Sequence, residues 1–191
     1  MTMTLYGSLA SPFVRRIRMQ LEGTEYQLQP VNILTDEDRA SFATITPIRK
    51  MPVLEDNGSR IFDSHVIHHY LQKRLQQPEL TLAQANQVSV IDAVTDSMVI
   101  LLMSKRSELP VAEDRLIFKL QRERIEDSLG WLDQQAATGQ LDAWNYAAIC
   151  IVCLVDWILF RELHTLTDYP NLVAAARQFD HRDICASTRP R

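Results

Sequence analysis

The stretch Lys50-Met51-Pro52-Val53-Leu54, followed after a turn by Ile61-Phe62-Asp63-Ser64, decides how the first half of this chain folds. Proline has no N–H for a sheet ladder, so Pro52 belongs at the start of a strand. The backbone of Met51 is then left unpaired and able to bind an extended peptide. Asp63 and Ser64 stand where a helix begins, and a helix N-terminus offers free N–H groups and a positive dipole end. Together these residues predict a clamp for a small peptide that carries both an amine and a carboxylate.

Short strands and helices alternate on both sides of this stretch. The segment Asp56-Asn57-Gly58-Ser59 predicts a hairpin turn between strand residues 53–55 and 60–62. The residue pattern predicts two earlier strands and three helices, at 3–7 and 26–31 and at 12–21, 35–42 and 63–75. The resulting order is strand, helix, strand, helix, strand, strand, helix, which is typical of an α/β domain built on one sheet.

The pattern changes after Gln76-Gln77-Pro78-Glu79. From residue 80 onward the apolar residues keep a helical period, and the breaks fall at Pro110, Gly130, Gly139 and Pro170. We therefore predict an α/β domain at residues 1–76, a linker at 77–80 and an all-helical domain at 81–191.

The composition is that of a soluble protein, with 46% hydrophobic and 23% charged residues among 191. A net charge of -4 argues against a general nucleic-acid binder, which is usually basic. No signal peptide is expected, and the most apolar stretch, at 146–160, contains Asp156 and is too short to cross a bilayer. Three cysteines, mostly in apolar sequence, suit a reducing compartment. We expect a cytoplasmic protein that binds neither nucleic acid nor membrane.

Ser11-Pro12 follows the first strand and has two interpretations that do not exclude each other. Serine as N-cap with proline at the first helical position is an ordinary helix start. The same hydroxyl, together with the free N–H groups and the helix dipole, also faces any anion placed above the helix end. A thiolate bound there would be stabilised without the serine becoming a nucleophile.

These residues resemble the cytosolic glutathione S-transferases, and the resemblance covers nearly the whole chain. Leu5-Tyr6-Gly7-Ser8 and Ser11-Pro12-Phe13-Val14-Arg15-Arg16 are similar to the first strand and the serine-type Ser-Pro-Phe turn of bacterial members. Residues 46–54 are similar to the loop and cis-proline strand of the family. Tyr169-Pro170-Asn171-Leu172 and Thr188-Arg189-Pro190 resemble its C-terminal ending. The resemblance implies a thioredoxin-like N-terminal domain and a helical-bundle C-terminal domain.

The resemblance also implies roles for individual residues. Ser11 would be catalytic and would stabilise the glutathione thiolate. The backbone of Met51, before a cis Pro52, would pair with the cysteinyl part of glutathione, and Asp63 and Ser64 would hold the γ-glutamyl group. Two weaker candidates are Lys50, near the glycyl carboxylate, and Asp96, which in some members reaches the glutathione of the neighbouring subunit. Both are equally explained as solvated surface charges.

The function implied is that of a homodimeric detoxification enzyme that activates the thiol of glutathione, its co-substrate, for attack on a small hydrophobic electrophile. No metal is expected. One alternative is a non-catalytic or regulatory protein-binding member of the same fold. Another is a glutathione-dependent disulfide reductase, which the absence of a cysteine at position 11 weakens. The sequence does not distinguish Ser8 from Ser11 as the residue that faces the thiol.

Other patterns are better explained by packing than by chemistry. Cys150 and Cys153 have redox-motif spacing but lie inside an apolar helix, where free cysteine is commonly buried. His65 and His69 share a helical face, yet no third metal ligand accompanies them. Met98, Leu101, Leu102 and Met103 form an apolar stripe that could line an electrophile pocket, but such a stripe belongs to the core in most proteins.

Overall fold

A computed structural model describes residues 2–191, and the chain divides into two compact units. The first contains the chain up to Glu79 and also Arg182–Arg191, and the second is Leu80–His181. The predicted helical domain ran to residue 191, whereas the last ten residues group with the first unit. The physical reason is that Arg15, which is buried, donates hydrogen bonds to Cys185 O and Thr188 Oγ1. The domain boundaries themselves stay a prediction.

The first unit contains a four-stranded sheet in the order β2-β1-β3-β4. Its strands are β1 (Met3–Gly7), β2 (Tyr26–Pro30), β3 (Val53–Asp56) and β4 (Ser59–Phe62). Strand β1 pairs with β2 in parallel and with β3 antiparallel, and β3 pairs with β4 antiparallel. Asn57 and Gly58 both have positive φ, at 50° and 77°, as a two-residue hairpin turn with the twist of the strands requires.

Three helices and a short C-terminal one complete this unit: α1 (Pro12–Gln20), α2 (Asp36–Ala43), α3 (Ser64–Arg74) and α8 (Asp183–Ser187). The predicted N-caps are confirmed, since Ser11 accepts from Val14 N and Thr35 accepts from Asp38 N. The core is formed by apolar side chains of the sheet and of α1 and α3, among them Leu5, Val14, Ile17, Leu54, Ile67 and Leu71.

The second unit consists of helices α4 (Leu82–Arg106), α5 (Leu116–Ala137), α6 (Tyr146–Arg161) and α7 (Pro170–Arg177). Helix α6 is the core helix, because its residues from Tyr146 to Ile158 are all buried. The side chain of Asn145 caps it by accepting from Ala148 N. The predicted architecture, an α/β thioredoxin-like unit and an all-α helical unit, is confirmed.

Helix α4 is long and apolar enough to cross a membrane by length and composition. A single helix of this kind is weak evidence, because a core helix of a bundle has the same properties. Here α4 packs against α5 and α6 within its own unit. A capping box begins it, in which Thr81 and Gln84 exchange side-chain and backbone hydrogen bonds.

Candidate functional site

The turn between β1 and α1 presents Ser11 at the start of the helix. Its Oγ accepts a hydrogen bond from Val14 N at 3.3 Å, and Pro12 occupies the first helical position. The Ser11 hydroxyl proton is donated to no residue in the range 2–191. Ser11 is half-buried, so its hydroxyl can donate to an anion placed at the N-terminus of α1.

Gly7 ends β1 and allows α1 to pack closely on the strand. A Cβ at Gly7 would lie 2.3 Å from Val14 Cγ2 and 3.0 Å from Val14 Cγ1. Real side chains do not approach so closely, and the β-branched Val14 is stiff at χ1. A residue without a side chain is therefore needed here to set the distance between β1 and the helix that carries Ser11.

Met51 and Pro52 form the second part of the site. The peptide bond between them is cis, as the resemblance implied. Neither the N–H nor the carbonyl of Met51 has a backbone partner within residues 2–191, which agrees with the sequence prediction. The Met51 thioether accepts from Ser8 N at 3.3 Å, which connects the β1–α1 turn to the start of β3.

Asp63 and Ser64 form the third part. Asp63 is the N-cap of α3, and its Oδ1 accepts from His65 N at 2.8 Å. Its φ of 72° lies in a region that favours glycine, so the backbone here is strained. Ser64 is buried, and no described residue is a hydrogen-bond partner of its hydroxyl. A carboxylate at this helix N-terminus would meet free N–H groups, a hydroxyl and the positive dipole end.

The strand register brings these three parts to one end of the sheet. Tyr6 on β1 lies opposite Val53 on β3, and Val53 lies opposite Phe62 on β4. The residues that follow β1, precede β3 and follow β4 are therefore neighbours. This end of the sheet presents the N-termini of α1 and α3 and the unpaired backbone of Met51. Such a combination can bind an extended peptide that carries negative charge at separate positions.

The two weaker candidates remain predictions. Lys50 is exposed and lies in the loop before Met51, next to Arg49, whose φ is 52°. Asp96 is exposed on α4, in the second unit. The resemblance implies that Asp96 reaches the glutathione of a neighbouring subunit, so this role requires a second copy of the chain.

The histidines of α3 differ in burial: His68 is buried, whereas His65 and His69 are exposed. His68 is 3% exposed, and its pKa is lowered to about 4, first by burial and then by the charges of His69, His65 and Arg16. His69 Nδ1 lies 2.8 Å from His65 O, so the ring contacts its own helix. Within residues 2–191, no group of three or more His, Cys, Asp and Glu side chains is placed to hold a metal ion. Cys150, Cys153 and Cys185 are all buried.

One residue and one contact that position the site were not predicted from the sequence. Gly7 was predicted only as the end of the first strand, although a glycine at the junction of a strand and a helix often marks a close approach. The contact between Ser8 N and the Met51 side chain has no local sequence signal, because it joins residues 43 positions apart.

Comparisons with known proteins indicate the family and the fold of the chain. Residues 5–79 match the family model for the glutathione S-transferase N-terminal domain. The chain is 31% identical to the uncharacterized GST-like protein YibF of Escherichia coli K12, over 98% of each chain. It is similar over its full length to two crystal structures. One is a glutathione transferase family member from Pseudomonas fluorescens with bound glutathione (25% identity, TM-score 0.85). The other is a glutathione S-transferase from Methylobacillus flagellatus (24% identity, TM-score 0.86), which supports the fold alone.

Proposed function

The chain belongs to the cytosolic glutathione S-transferase family, and from this premise we propose that it binds reduced glutathione and activates its thiol for attack on a small hydrophobic electrophile. The observation that supports this most is the meeting of Ser11, the Met51 backbone and Ser64 at one end of the sheet. The Pseudomonas fluorescens relative contains bound glutathione, which supports the same ligand for this chain.

The proposed pose of glutathione follows from the polar groups. The cysteinyl residue pairs with the N–H and carbonyl of Met51, next to Pro52. Asp63 receives the γ-glutamyl amine, and the hydroxyl of Ser64 with the N-terminus of α3 receives its carboxylate. Lys50 approaches the glycyl carboxylate, and Asp96 of a partner subunit adds a second acid near the amine.

In this pose the thiol lies above the N-terminus of α1, where Ser11 donates to it. This is the serine-type turn of the family. A free thiol has a pKa of about 8.5, so only a few per cent is thiolate at neutral pH. A hydrogen bond to a charged group contributes roughly 1.5–3 kcal/mol, which would lower the pKa of the thiol by about 1–2. Glutathione would then be substantially ionised when bound.

The reaction forms a bond between the glutathione sulfur and an electrophilic carbon. The thiol proton leaves to solvent when glutathione binds. In a substitution the leaving group departs with the electron pair of the broken bond, and in an addition the carbanion takes a proton from solvent.

We further propose that the protein is a cytoplasmic homodimer with a detoxifying role.

Calorimetric titration with reduced glutathione tests the binding half of this proposal. We expect a dissociation constant in the micromolar-to-millimolar range. Ser64→Ala should weaken binding about tenfold, because a hydrogen bond to a carboxylate is lost. Asp63→Asn should also weaken it while preserving α3, since asparagine is an equally good N-cap.

The matched control is Ser59→Ala, which removes an exposed hydroxyl from β4 in the same unit and should bind like the wild type. Absence of wild-type binding at millimolar glutathione would overturn the proposal. Equal affinity in all four proteins would place glutathione elsewhere.

A further inference from the structure

The side chain of Met51 makes a contact that the proposed pose of glutathione does not use, since that pose needs only the backbone of this residue. Its Sδ accepts a hydrogen bond from Ser8 N at 3.3 Å. Strand β1 ends at Gly7 and β3 begins at Val53, so this bond joins the residue after one strand to the loop before the other. Met51 also packs against the apolar core of the first unit. Its sulfur is therefore a fixed point to which the β1–α1 turn is attached.

Ser8 connects this sulfur to the helix start that presents Ser11. The Ser8 carbonyl accepts from Ser11 N at 3.1 Å, and the Ser8 hydroxyl accepts from Ala10 N at 3.3 Å. Two hydrogen bonds, both made by the backbone of Ser8, thus lead from the Met51 sulfur to the backbone of Ser11.

The position of this turn matters for activation of the thiol more than for binding of the peptide. In the function proposed above, on which this inference rests, one hydrogen bond from the Ser11 hydroxyl stabilises the thiolate. Such a bond weakens steeply when its length or direction departs from the optimum. A small shift of residues 8–11 would weaken it and would still leave the Met51 backbone able to pair with the peptide. Activation and binding are therefore separable.

We propose that Met51 is a positioning residue, whose thioether fixes the β1–α1 turn so that Ser11 donates to the thiol, and that oxidation of this sulfur switches thiol activation off. An oxidant of the peroxide class transfers one oxygen atom to Sδ, so the sulfur loses two electrons and the peroxide is reduced to water. An oxygen between Sδ and Ser8 N does not fit the present 3.3 Å, because an N–H···O bond alone takes about 2.9 Å. The sulfoxide therefore displaces the turn or leaves the amide without this acceptor.

The methionines differ in how accessible they are to an oxidant. Met3, Met19 and Met98 are at most 5% exposed. Met51 is half-buried, and Met103 on α4 is exposed. Met103 therefore offers a matched control, because it is an accessible methionine that has no part in the proposed pose of glutathione.

Met51→Leu tests the positioning role, because leucine keeps the volume and removes the acceptor. In an ultraviolet titration of bound glutathione, the pKa of the thiol should rise by about 0.5–1, which is roughly a three- to tenfold loss in the ionisation constant. S-methylglutathione, which has no thiol to ionise, should bind with unchanged affinity, since the backbone of residue 51 is retained. The Ser8 amide should exchange its hydrogen faster in the free protein, as followed by NMR. Met103→Leu should change none of these three quantities.

Treatment with hydrogen peroxide, removed before glutathione is added, tests the oxidation step. Peptide mass spectrometry should find the sulfoxide at Met51 and Met103 before the three buried methionines. The pKa of the bound thiol should rise in the oxidised wild type and return after treatment with a methionine sulfoxide reductase. In Met51→Leu the same oxidation should not change it further.

An unchanged thiol pKa in Met51→Leu would overturn the positioning role, and so would an equal rise in Met103→Leu. Oxidation that spares Met51, or that raises the thiol pKa as much in Met51→Leu as in the wild type, would overturn the oxidation step. All of these outcomes leave glutathione bound to the wild type. Absence of that binding is a different result, which overturns the function proposed above and this role of Met51 with it.

Discussion

Gly7 is a residue at which one added methyl group is expected to destabilise the first unit. Gly7→Ala would place a methyl group 2.3 Å from Val14 Cγ2 in a core where Val14 is fully buried. We expect a loss of about 1–3 kcal/mol in the free energy of unfolding, the usual cost of overpacking. Urea denaturation followed by circular dichroism measures it.

Gly130→Ala is the control for this prediction. Gly130 lies within α5, and nothing is within 4 Å of a Cβ built there. Alanine in a helix interior is worth about 0.5–1 kcal/mol over glycine, so this variant should be more stable than the wild type. If both variants were equally stable, the close packing of β1 on α1 would not be what requires Gly7.

At the scale of elements, the features that could be predicted from the sequence are those that depend on neighbouring residues. The Asn57-Gly58 turn and the caps Ser11 and Thr35 are each decided by residues within a few positions, so hairpin and helix starts were found correctly. Burial of Arg15 and Arg16, each 1% exposed, could not be predicted. Two adjacent arginines near the start of a helix indicate an exposed face, and the acceptors that satisfy Arg15 are 170 or more positions away.

Helix α3 should make stability depend on pH through His68. Its pKa is about 4 in the folded chain and near the ordinary 6.5 when unfolded. Between these values the unfolded chain binds a proton that the folded chain does not, so stability is lost as the pH falls from 6.5 to 4. The loss approaches about 3 kcal/mol.

His68→Gln should flatten this dependence, measured as the free energy of unfolding at several pH values in that window. His181→Gln, a change at an exposed histidine in the second unit, should leave it as in the wild type. An unchanged slope in His68→Gln would show that other groups are responsible for acid sensitivity.

At the scale of the whole molecule, the chain leaves the first unit after Glu79 and returns to it at Arg182. Arg15 connects the two parts of this unit, with Nη2 3.0 Å from Cys185 O and Nε 3.3 Å from Thr188 Oγ1. Arg15→Met should lower the free energy of unfolding by about 2 kcal/mol or more, because buried acceptors lose a charged donor.

Thr188→Val, which removes one of these acceptors, should cost less, about 1 kcal/mol. Arg115→Met is the control: its exposed ion pair with Glu113 should contribute little. If Arg15→Met unfolded like this control, the C-terminal residues would not stabilise the first unit through Arg15.

The candidate site was predictable in its parts but not in their assembly. Ser11, Met51, Asp63 and Ser64 each carry a local signal, as a cap, a residue before proline or a helix start. These residues meet at one end of the sheet because of the strand order and register, which local signals do not contain. The resemblance to the family supplied this arrangement.

The measurement that tests the central claim most directly is the ultraviolet titration of the thiolate of bound glutathione against pH. In the wild type, and in Ser11→Thr, which keeps a hydroxyl at the helix start, we expect the pKa of the bound thiol to lie about 1–2 below that of free glutathione. In Ser11→Ala it should return close to the free value, whereas Ser8→Ala should behave like the wild type. A depressed thiol pKa that persists in Ser11→Ala, or that is lost in Ser8→Ala, would contradict the role assigned to Ser11.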